Sequence, residues 1–152
     1  MQKPCPCTSG RPYVSCCAPF HRGEREAETP QALMRSRFAA FATGDAEYLW
    51  RTLHPDHDDR ALPKEELLRS LKEATRAHKY MRLAILDAKD ARVLFLAGVF
   101  ERGVDRSFVE LSTFAREGEG WRYLCGEARD ARGLTAKEIE RLTIDSFGAR
   151  GT

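Results

Sequence analysis

Residues 80–125 have the sequence YMRLAILDAKDARVLFLAGVFERGVDRSFVELSTFAREGEGWRYLC, and this stretch decides the fold. Apolar residues alternate with other residues over 81–85, which is typical of a strand with one buried face. Residues 93–100 are almost wholly apolar, which predicts a central strand covered on both faces. Two further strands, at 108–116 and 121–125, are separated by the turn-forming sequence EGEG. The stretch therefore predicts an antiparallel sheet.

Three helices are predicted before this sheet, and they are expected to lie on one of its faces. Thr29-Pro30 starts the first, because threonine can cap a helix and proline suits its first position. Apolar residues then recur at intervals of three and four until Gly44 ends the helix. A second helix opens at Asp45 and a third near Pro63, and a short helix is expected from about Thr135. Helices grouped before strands indicate an α+β fold.

Four of the five cysteines lie close together near the N-terminus, in the run CPCTSGRPYVSCC at 5–17. Tetrahedral zinc binds thiolates at about 2.3 Å, so two thiol pairs must fold back onto each other across a turn. Residues 8–10, Thr-Ser-Gly, permit such a turn. Two disulfides or four buried free thiols are less suitable alternatives, since vicinal cysteines rarely bond each other and few apolar residues are present. We therefore expect one structural zinc ion, with the ligands Cys5, Cys7, Cys16 and Cys17.

The cysteine run resembles the SEC-C motif, the zinc tail of the bacterial preprotein translocase motor and of many small proteins. Further segments extend the resemblance to the YchJ-like family of bacterial proteins over residues 4–127. These segments are CCAPFHRG at 16–23, LMRSRFAAF at 33–41, Leu53-His54-Pro55, Glu110-x-Ser112-x-Phe114 and Trp121-Arg-Tyr123-Leu. The resemblance implies a SEC-C finger followed by a nuclear-transport-factor-2-like domain, in which a curved antiparallel sheet cups helices like a cone. It implies no established activity.

Length and composition fit this organisation. The 152 residues suit one domain with an appendage, and the apolar share of 42% is that of a globular protein. We predict a SEC-C zinc-binding motif at 1–22, a charged linker at 23–29 and the α+β domain at 30–127. A C-terminal extension with a short helix follows at 128–152.

The resemblance implies that the cone encloses a pocket, and the third predicted strand offers polar residues to line it. Glu110 and Ser112 share a face with Phe108 and Phe114, so a carboxylate and a hydroxyl stand among aromatic rings. A buried carboxylate needs a cation or a raised pKa, and an arginine of the first helix could serve. A structural ion pair and a ligand site both fit this pattern. The candidate pocket residues are Arg35, Arg37, Trp50, His54, Glu110 and Ser112.

The remaining histidines and the fifth cysteine invite simpler interpretations. The sequence HPDHDD at 54–59 could hold a second metal ion, but Pro55 prevents its two histidines from sharing a helical face, so an exposed acidic turn is the preferred interpretation. His21 could replace a cysteine ligand if the finger folds differently. Cys125 is expected to be a small, buried, apolar residue without a catalytic role.

Charge and motifs exclude several classes of function. Lysine and arginine total 25 against 23 acidic residues, and the signs are interspersed, which does not favour nucleic acid as a partner. No apolar run approaches the roughly 20 residues of a membrane span, and the first residues lack the apolar core of a secretory signal. We therefore expect a cytoplasmic protein. Neither a nucleophile elbow nor a phosphate loop nor a dinucleotide fingerprint occurs, so nothing points to an enzyme.

Two functions remain open. In the first, the protein is a non-enzymatic adaptor whose finger docks on a protein partner, such as the ribosome or the translocation machinery. In the second, the cone binds or converts a small molecule through Glu110 with His54 or an arginine. A closed four-cysteine site has no open coordination position, which predicts no chemistry at the metal. The resemblance also allows a homodimer formed through the sheets.

Overall fold

The computed structural model describes residues 2–150, which form six α-helices, three short 3-10 helices and five strands. The helices are α1 (Ala18–His21), α2 (Pro30–Thr43), α3 (Ala46–Arg51), α4 (Lys64–Ala77), α5 (Ala136–Glu140) and α6 (Ile144–Arg150). The strands are β1 (Lys79–Lys89), β2 (Arg92–Glu101), β3 (Val104–Asp105), β4 (Phe108–Glu117) and β5 (Gly120–Asp130). The predicted α+β order, with α2 to α4 before the sheet, is confirmed.

Local signals in the sequence set the ends of α2. The Thr29 hydroxyl accepts a hydrogen bond from the Ala32 N–H at 3.1 Å. Gly44 ends the helix with φ +80°, a conformation that glycine adopts without steric cost. Within the described residues, no helix is both long enough and apolar enough to cross a membrane.

The sheet is antiparallel in the order β1-β2-β4-β5, and the short β3 pairs with β2. Register shifts interrupt β1 at two places and the β4–β5 ladder at Thr113/Phe114. Such bulges bend strands and increase their twist, so the sheet curves around α2. Glu110 pairs with Phe95 of β2 on one side and with Ala128 of β5 on the other. This register fixes which side chains face the inside of the curve.

The central strand β2 is buried on both faces, as its apolar run predicts. Phe95 and Ala97 belong to the inner core beneath α2, whereas Leu94 and Leu96 belong to an outer core. The C-terminal segment closes that outer core, with Phe147 of α6 only 1% exposed. The short helix predicted from about Thr135 corresponds to α5, and with α6 it lies on this outer face, opposite α2.

Candidate metal centre and cone cavity

Within the described residues, the finger spans 2–22 and consists of a tight turn, a 3-10 turn at Tyr13–Ser15 and the short helix α1. The Cys5 N–H donates to the Arg11 carbonyl at 2.9 Å, and the Thr8 N–H donates to the Cys5 carbonyl at 3.0 Å. Thr8 has φ +62° and Gly10 has φ +89°, so the backbone reverses direction between the two cysteine pairs. The reversal brings all four thiols to one point.

The four sulfur atoms lie within 4.8 Å of one another, and all four cysteines are buried. Cys7 Sγ lies 3.6 Å from Cys16 Sγ, which in turn lies 4.0 Å from Cys17 Sγ. A disulfide requires about 2.05 Å, whereas thiolates at the corners of a zinc tetrahedron are separated by about 3.8 Å, given a Zn–S bond of about 2.3 Å. The cysteines are free thiols whose arrangement fits one tetrahedral metal ion.

The cysteine thiols of this cluster differ in pKa. Hydrogen bonding from the Cys17 thiol lowers the pKa of Cys7 to about 4. Burial raises the pKa of Cys5 to about 11, and the hydrogen bond to Cys7 raises the pKa of Cys17 well above its ordinary range. Metal binding to thiols displaces such protons, so loading of this cluster releases them to solvent.

The finger is docked on the α+β domain. The Thr8 hydroxyl bonds to the backbone of Leu83 in β1, and Arg35 Nη1 donates to the Cys7 carbonyl at 3.3 Å. Ala39 of α2, fully buried, packs against the cysteines. The finger and α2 therefore share one small core.

His21 connects α1 to α2 and is not part of the thiol cluster. Its Nδ1 bonds to the Tyr13 hydroxyl at 2.6 Å, and its Nε2 bonds to the Ser36 carbonyl at 2.8 Å. Burial lowers the pKa of His21, which favours the neutral ring. Because both ring nitrogens are used within the protein, the alternative of His21 as a metal ligand is wrong.

A cavity of about 340 Å³ lies between α2 and the inner face of the sheet. We call it the cone cavity. Its apolar wall comprises Met34, Phe38, Phe41, Phe95, Ala97, Val99 and Phe108. Its polar lining residues are Arg37, His78, Tyr80, Arg106, Glu110 and Tyr123.

Hydroxyl groups hold the carboxylate of Glu110 in this cavity. Its Oε2 accepts a hydrogen bond from the Ser112 hydroxyl at 2.5 Å and another from the Tyr123 hydroxyl at 2.9 Å. Burial and the nearby Glu110 raise the pKa of Tyr123, which keeps that phenol protonated as a donor. Gly126 lies beside this group, and a Cβ atom there would collide with both Glu110 Oε2 and the Tyr123 hydroxyl.

Arg37 brings a buried positive charge to the same cavity, and the residue is only 5% exposed. Its Nη1 donates to the Leu49 carbonyl at 2.9 Å and to the Thr52 hydroxyl at 2.7 Å. The guanidinium carbon lies 4.8 Å from the centre of the Tyr123 ring. Burial lowers the pKa of Arg37. Among the described side chains, no carboxylate lies within 4.0 Å of it, so no direct ion pair with Glu110 forms.

The structure brings three of the six predicted pocket residues together. Arg37 and Glu110 line the cone cavity, and Ser112 reaches it through its hydrogen bond to Glu110. Tyr123 was not among the pocket residues predicted from the sequence, although its side chain contacts both the Arg37 guanidinium and the Glu110 carboxylate. The available signal was its position in the hairpin, where it pairs with the inward-facing Phe114.

The other three predicted pocket residues do not line the cone cavity. Arg35 points to the finger, where it bonds to the Cys7 carbonyl. Trp50 packs beneath the guanidinium of Arg60, whose carbon lies 4.4 Å from a Trp50 ring centre. His54 uses its backbone N–H to bond to the Tyr123 carbonyl at 2.8 Å, and its ring accepts the backbone N–H of Asp56.

The sequence HPDHDD forms a turn in which both histidines bond locally. His57 Nδ1 accepts the Asp59 N–H at 3.0 Å, and its ring packs against Tyr123 with centres 5.4 Å apart. In the described part of the chain, the four cysteines are the only group of three or more His, Cys, Asp or Glu side chains close enough to share a metal ion. Cys125 is exposed, so the expectation that it is buried is wrong. It pairs with Thr113, away from the inner face.

Comparison with known proteins identifies relatives that span most of this chain. Residues 29–126 match the family described as YchJ, middle NTF2-like domain. A UPF0225 protein from Deinococcus radiodurans is 45% identical over 125 residues, which cover 80% of this chain and 87% of that protein. The UPF0225 protein YchJ from Shigella dysenteriae is 36% identical over 133 residues, which cover 83% of this chain and 84% of that protein.

Solved structures show the same architecture. The solution structure of a SEC-C motif containing protein from Rhodopseudomonas palustris matches with a TM-score of 0.71 and 31% identity, covering 84% of this chain and 100% of that one. The crystal structure of a SEC-C motif containing protein from Psychrobacter arcticus matches with a TM-score of 0.64. It is 19% identical over 81% of each chain, and this second likeness concerns the fold alone.

Proposed function

This chain belongs to the YchJ family, and on that premise we propose that it is a zinc-stabilised protein that binds a small molecule in its cone cavity. The observation that carries the proposal is the cavity itself, with about 340 Å³ of space, an apolar wall and the polar groups of Arg37, Glu110 and Tyr123. Small-molecule sites are concave and mostly apolar, with a few polar groups that fix orientation. This cavity has that composition.

In this proposal, zinc has a structural role. Four thiolates complete its tetrahedral coordination, which leaves no position for water or substrate. The finger packs on α2 through Arg35 and Ala39, and α2 supplies Met34 and Arg37 to the cavity. The metal therefore stabilises one wall of the site. We also propose a cytoplasmic location, because a reducing compartment keeps such thiols available for metal.

Ligand-observed NMR with a fragment library tests the cavity as a binding site. We compare the unmodified protein with Ala97→Leu, which adds three carbons inside the cavity, and with Ala84→Leu. Ala84 makes a matched control, because it lies on neighbouring β1 and packs against the outer core. Fragments should bind the unmodified protein and Ala84→Leu but not Ala97→Leu. Equal binding by all three, or none by the unmodified protein, would contradict the proposal.

A second candidate is the adaptor function, which is supported by arginines at the finger. Arg11, Arg25 and Arg35 surround a groove beside Cys16 and Cys17. Within the described chain, none of the three forms an ion pair with a carboxylate at 4.0 Å or less. Such a basic rim suits an acidic segment of a protein partner, on the ribosome or the translocation machinery.

Cross-linking in cell extract tests this second function. Arg25→Ser removes an exposed charge that does not contact the cysteines, unlike Arg11, whose Nη2 donates to Cys16 Sγ at 3.7 Å. Ala97→Leu alters only the cavity. An adaptor should lose its cross-linked partner in the arginine variant and retain it in Ala97→Leu. The opposite pattern would favour the cavity as the working part.

A further inference from the structure

Apart from Arg106, which is paired with Glu101, the cone cavity holds two opposite charges, Arg37 and Glu110, that do not form a direct ion pair. Both contact Tyr123, since Arg37 lies over its ring and Glu110 accepts its hydroxyl. Tyr123 therefore holds the cation and the anion at separate places along one wall. If the cavity binds a small molecule, as proposed above, these two charges determine the chemical class of that ligand.

Several N–H donors of Arg37 form no hydrogen bond within the described chain. A guanidinium carries five N–H donors, and within the described chain only Nη1 of Arg37 bonds to protein acceptors. The residue is 95% buried, since its exposed fraction is 5%. A buried cation without an anionic partner is unfavourable, and an anionic ligand group would supply one. Arginine binds carboxylates well, because its planar donors match the two oxygens.

One carboxylate oxygen of Glu110 accepts no hydrogen bond within the described chain. The Ser112 and Tyr123 hydroxyls both bond to Oε2, and Oε1 has no hydrogen-bond donor among the described residues. A carboxylate in such a place accepts hydrogen bonds from an ammonium group. Because Glu110 lines the same cavity as Arg37, one small ligand can reach both.

From these two groups we infer that the ligand is a compact zwitterion with an apolar body, the chemical class of hydrophobic amino acids. Its carboxylate binds Arg37, its ammonium binds Glu110, and its side chain packs against the aromatic wall. A simple carboxylate gains the first contact but is repelled by Glu110. A simple amine gains the second but is repelled by Arg37. A ligand with both groups supplies a partner to Arg37 and to Glu110, whereas the third charged residue of the lining, Arg106, is already paired with Glu101.

Three probes with a phenyl group separate these possibilities. They are L-phenylalanine, 3-phenylpropanoate and 2-phenylethylamine, titrated into the full-length protein and followed by NMR chemical shifts. Because a hydrogen bond to a charged group contributes enough for a tenfold effect or more, phenylalanine should bind at least about tenfold more tightly than either singly charged probe. Equal or tighter binding of a singly charged probe overturns the inference.

Two variants test which cavity residue binds the ammonium group and which binds the carboxylate of the ligand. Glu110→Gln keeps the shape but removes the charge, so it should weaken phenylalanine about tenfold and leave 3-phenylpropanoate unchanged or tighter. Arg37→Lys should weaken phenylalanine and 3-phenylpropanoate but not 2-phenylethylamine. Glu66→Gln, at an exposed carboxylate of α4 that does not line the cavity, is the control. If Arg37→Lys does not fold, Glu110→Gln alone decides, since an equal loss for all probes contradicts the assignment.

Failure of this inference differs from failure of the proposed function. If fragments bind the unmodified protein and not Ala97→Leu, the cavity is a binding site. Failure of all three phenyl probes to bind would then overturn the zwitterion class alone. If no fragment binds, both the site and its ligand class are wrong.

Discussion

Thr8 of the finger bonds to Leu83 of β1 in both directions. Its hydroxyl accepts the Leu83 N–H and donates to the Leu83 carbonyl, each at 3.1 Å. Because β1 is an edge strand, these backbone groups have no neighbouring strand on that side. The finger therefore completes the edge of the sheet, and its folding is coupled to that of the cone.

Thr8→Val should weaken this coupling while leaving the thiols in place. The substitution removes two hydrogen bonds but keeps the β-branched shape, so the free energy of unfolding should fall by about 1–2 kcal/mol. Urea denaturation measures the loss, and metal analysis should still give one zinc per chain. Thr75→Val is the control, because the Thr75 hydroxyl bonds only to the exposed α4 backbone. An unchanged unfolding midpoint in Thr8→Val would mean that the finger and cone are energetically separate.

Metal removal should expose the four buried thiols. In the zinc-loaded protein, a thiol reagent such as Ellman's should react quickly with one cysteine, the exposed Cys125. A strong chelator should raise the count to five, because the remaining thiols lose their metal and the finger opens. Cys125→Ser should abolish the fast reaction and keep the zinc, whereas Cys7→Ser should lose the zinc. Five fast thiols before chelation would contradict a metal-bound cluster.

The sequence predicts the features of this fold that depend on local chemistry. Cysteine spacing predicts the cluster, Thr29-Pro30 and Gly44 mark the ends of α2, and the EGEG turn marks the β4–β5 hairpin. Packing between segments that are distant in the sequence is harder to predict. The C-terminal segment covers the outer face through Phe147, but its short helices have too few apolar positions to indicate a partner surface.

In the candidate site, too, local features follow from the sequence, whereas long-range contacts do not. Glu110 and Ser112 are two residues apart on one strand, so their common direction follows from the period of a strand. The Arg37 guanidinium and the Tyr123 ring meet only because α2 crosses the inner face of β5, 86 positions away in sequence. Sequence periodicity predicts a helix or a strand, but it does not predict that the two elements cross. Arg35 and Arg37 consequently looked equivalent in the sequence, although one faces the finger and the other faces the cavity.

Gly126 should be essential for the arrangement around Glu110. Gly126→Ala places a methyl group against the Glu110 carboxylate and the Tyr123 hydroxyl, so one of them must move. We expect the free energy of unfolding to fall by about 1–3 kcal/mol, the usual effect of overpacking. Gly133→Ala is the matched control, since a Cβ there meets nothing within 4 Å. Equal stability of the two variants in urea denaturation would contradict the contact.

Stability should also fall in alkaline solution through Tyr80, which lines the cone cavity. Its ring lies edge-on to Phe38, with centres 5.8 Å apart. Burial raises the pKa of Tyr80 to about 12, whereas a tyrosine in the unfolded chain has a pKa of about 10. The folded state therefore favours the protonated phenol. Its stabilising contribution is complete below about pH 10 and is lost as the pH rises through about 12.

Tyr80→Phe removes this proton equilibrium and keeps the ring. In urea denaturation series from about pH 8 to about pH 11, the unmodified protein should lose stability more steeply than the variant above about pH 10. The difference between the two curves isolates Tyr80, because the other tyrosines and the lysines are common to both proteins. Parallel curves over the whole range would show that the Tyr80 hydroxyl titrates as it does in the unfolded chain and that the cavity admits water freely at this wall.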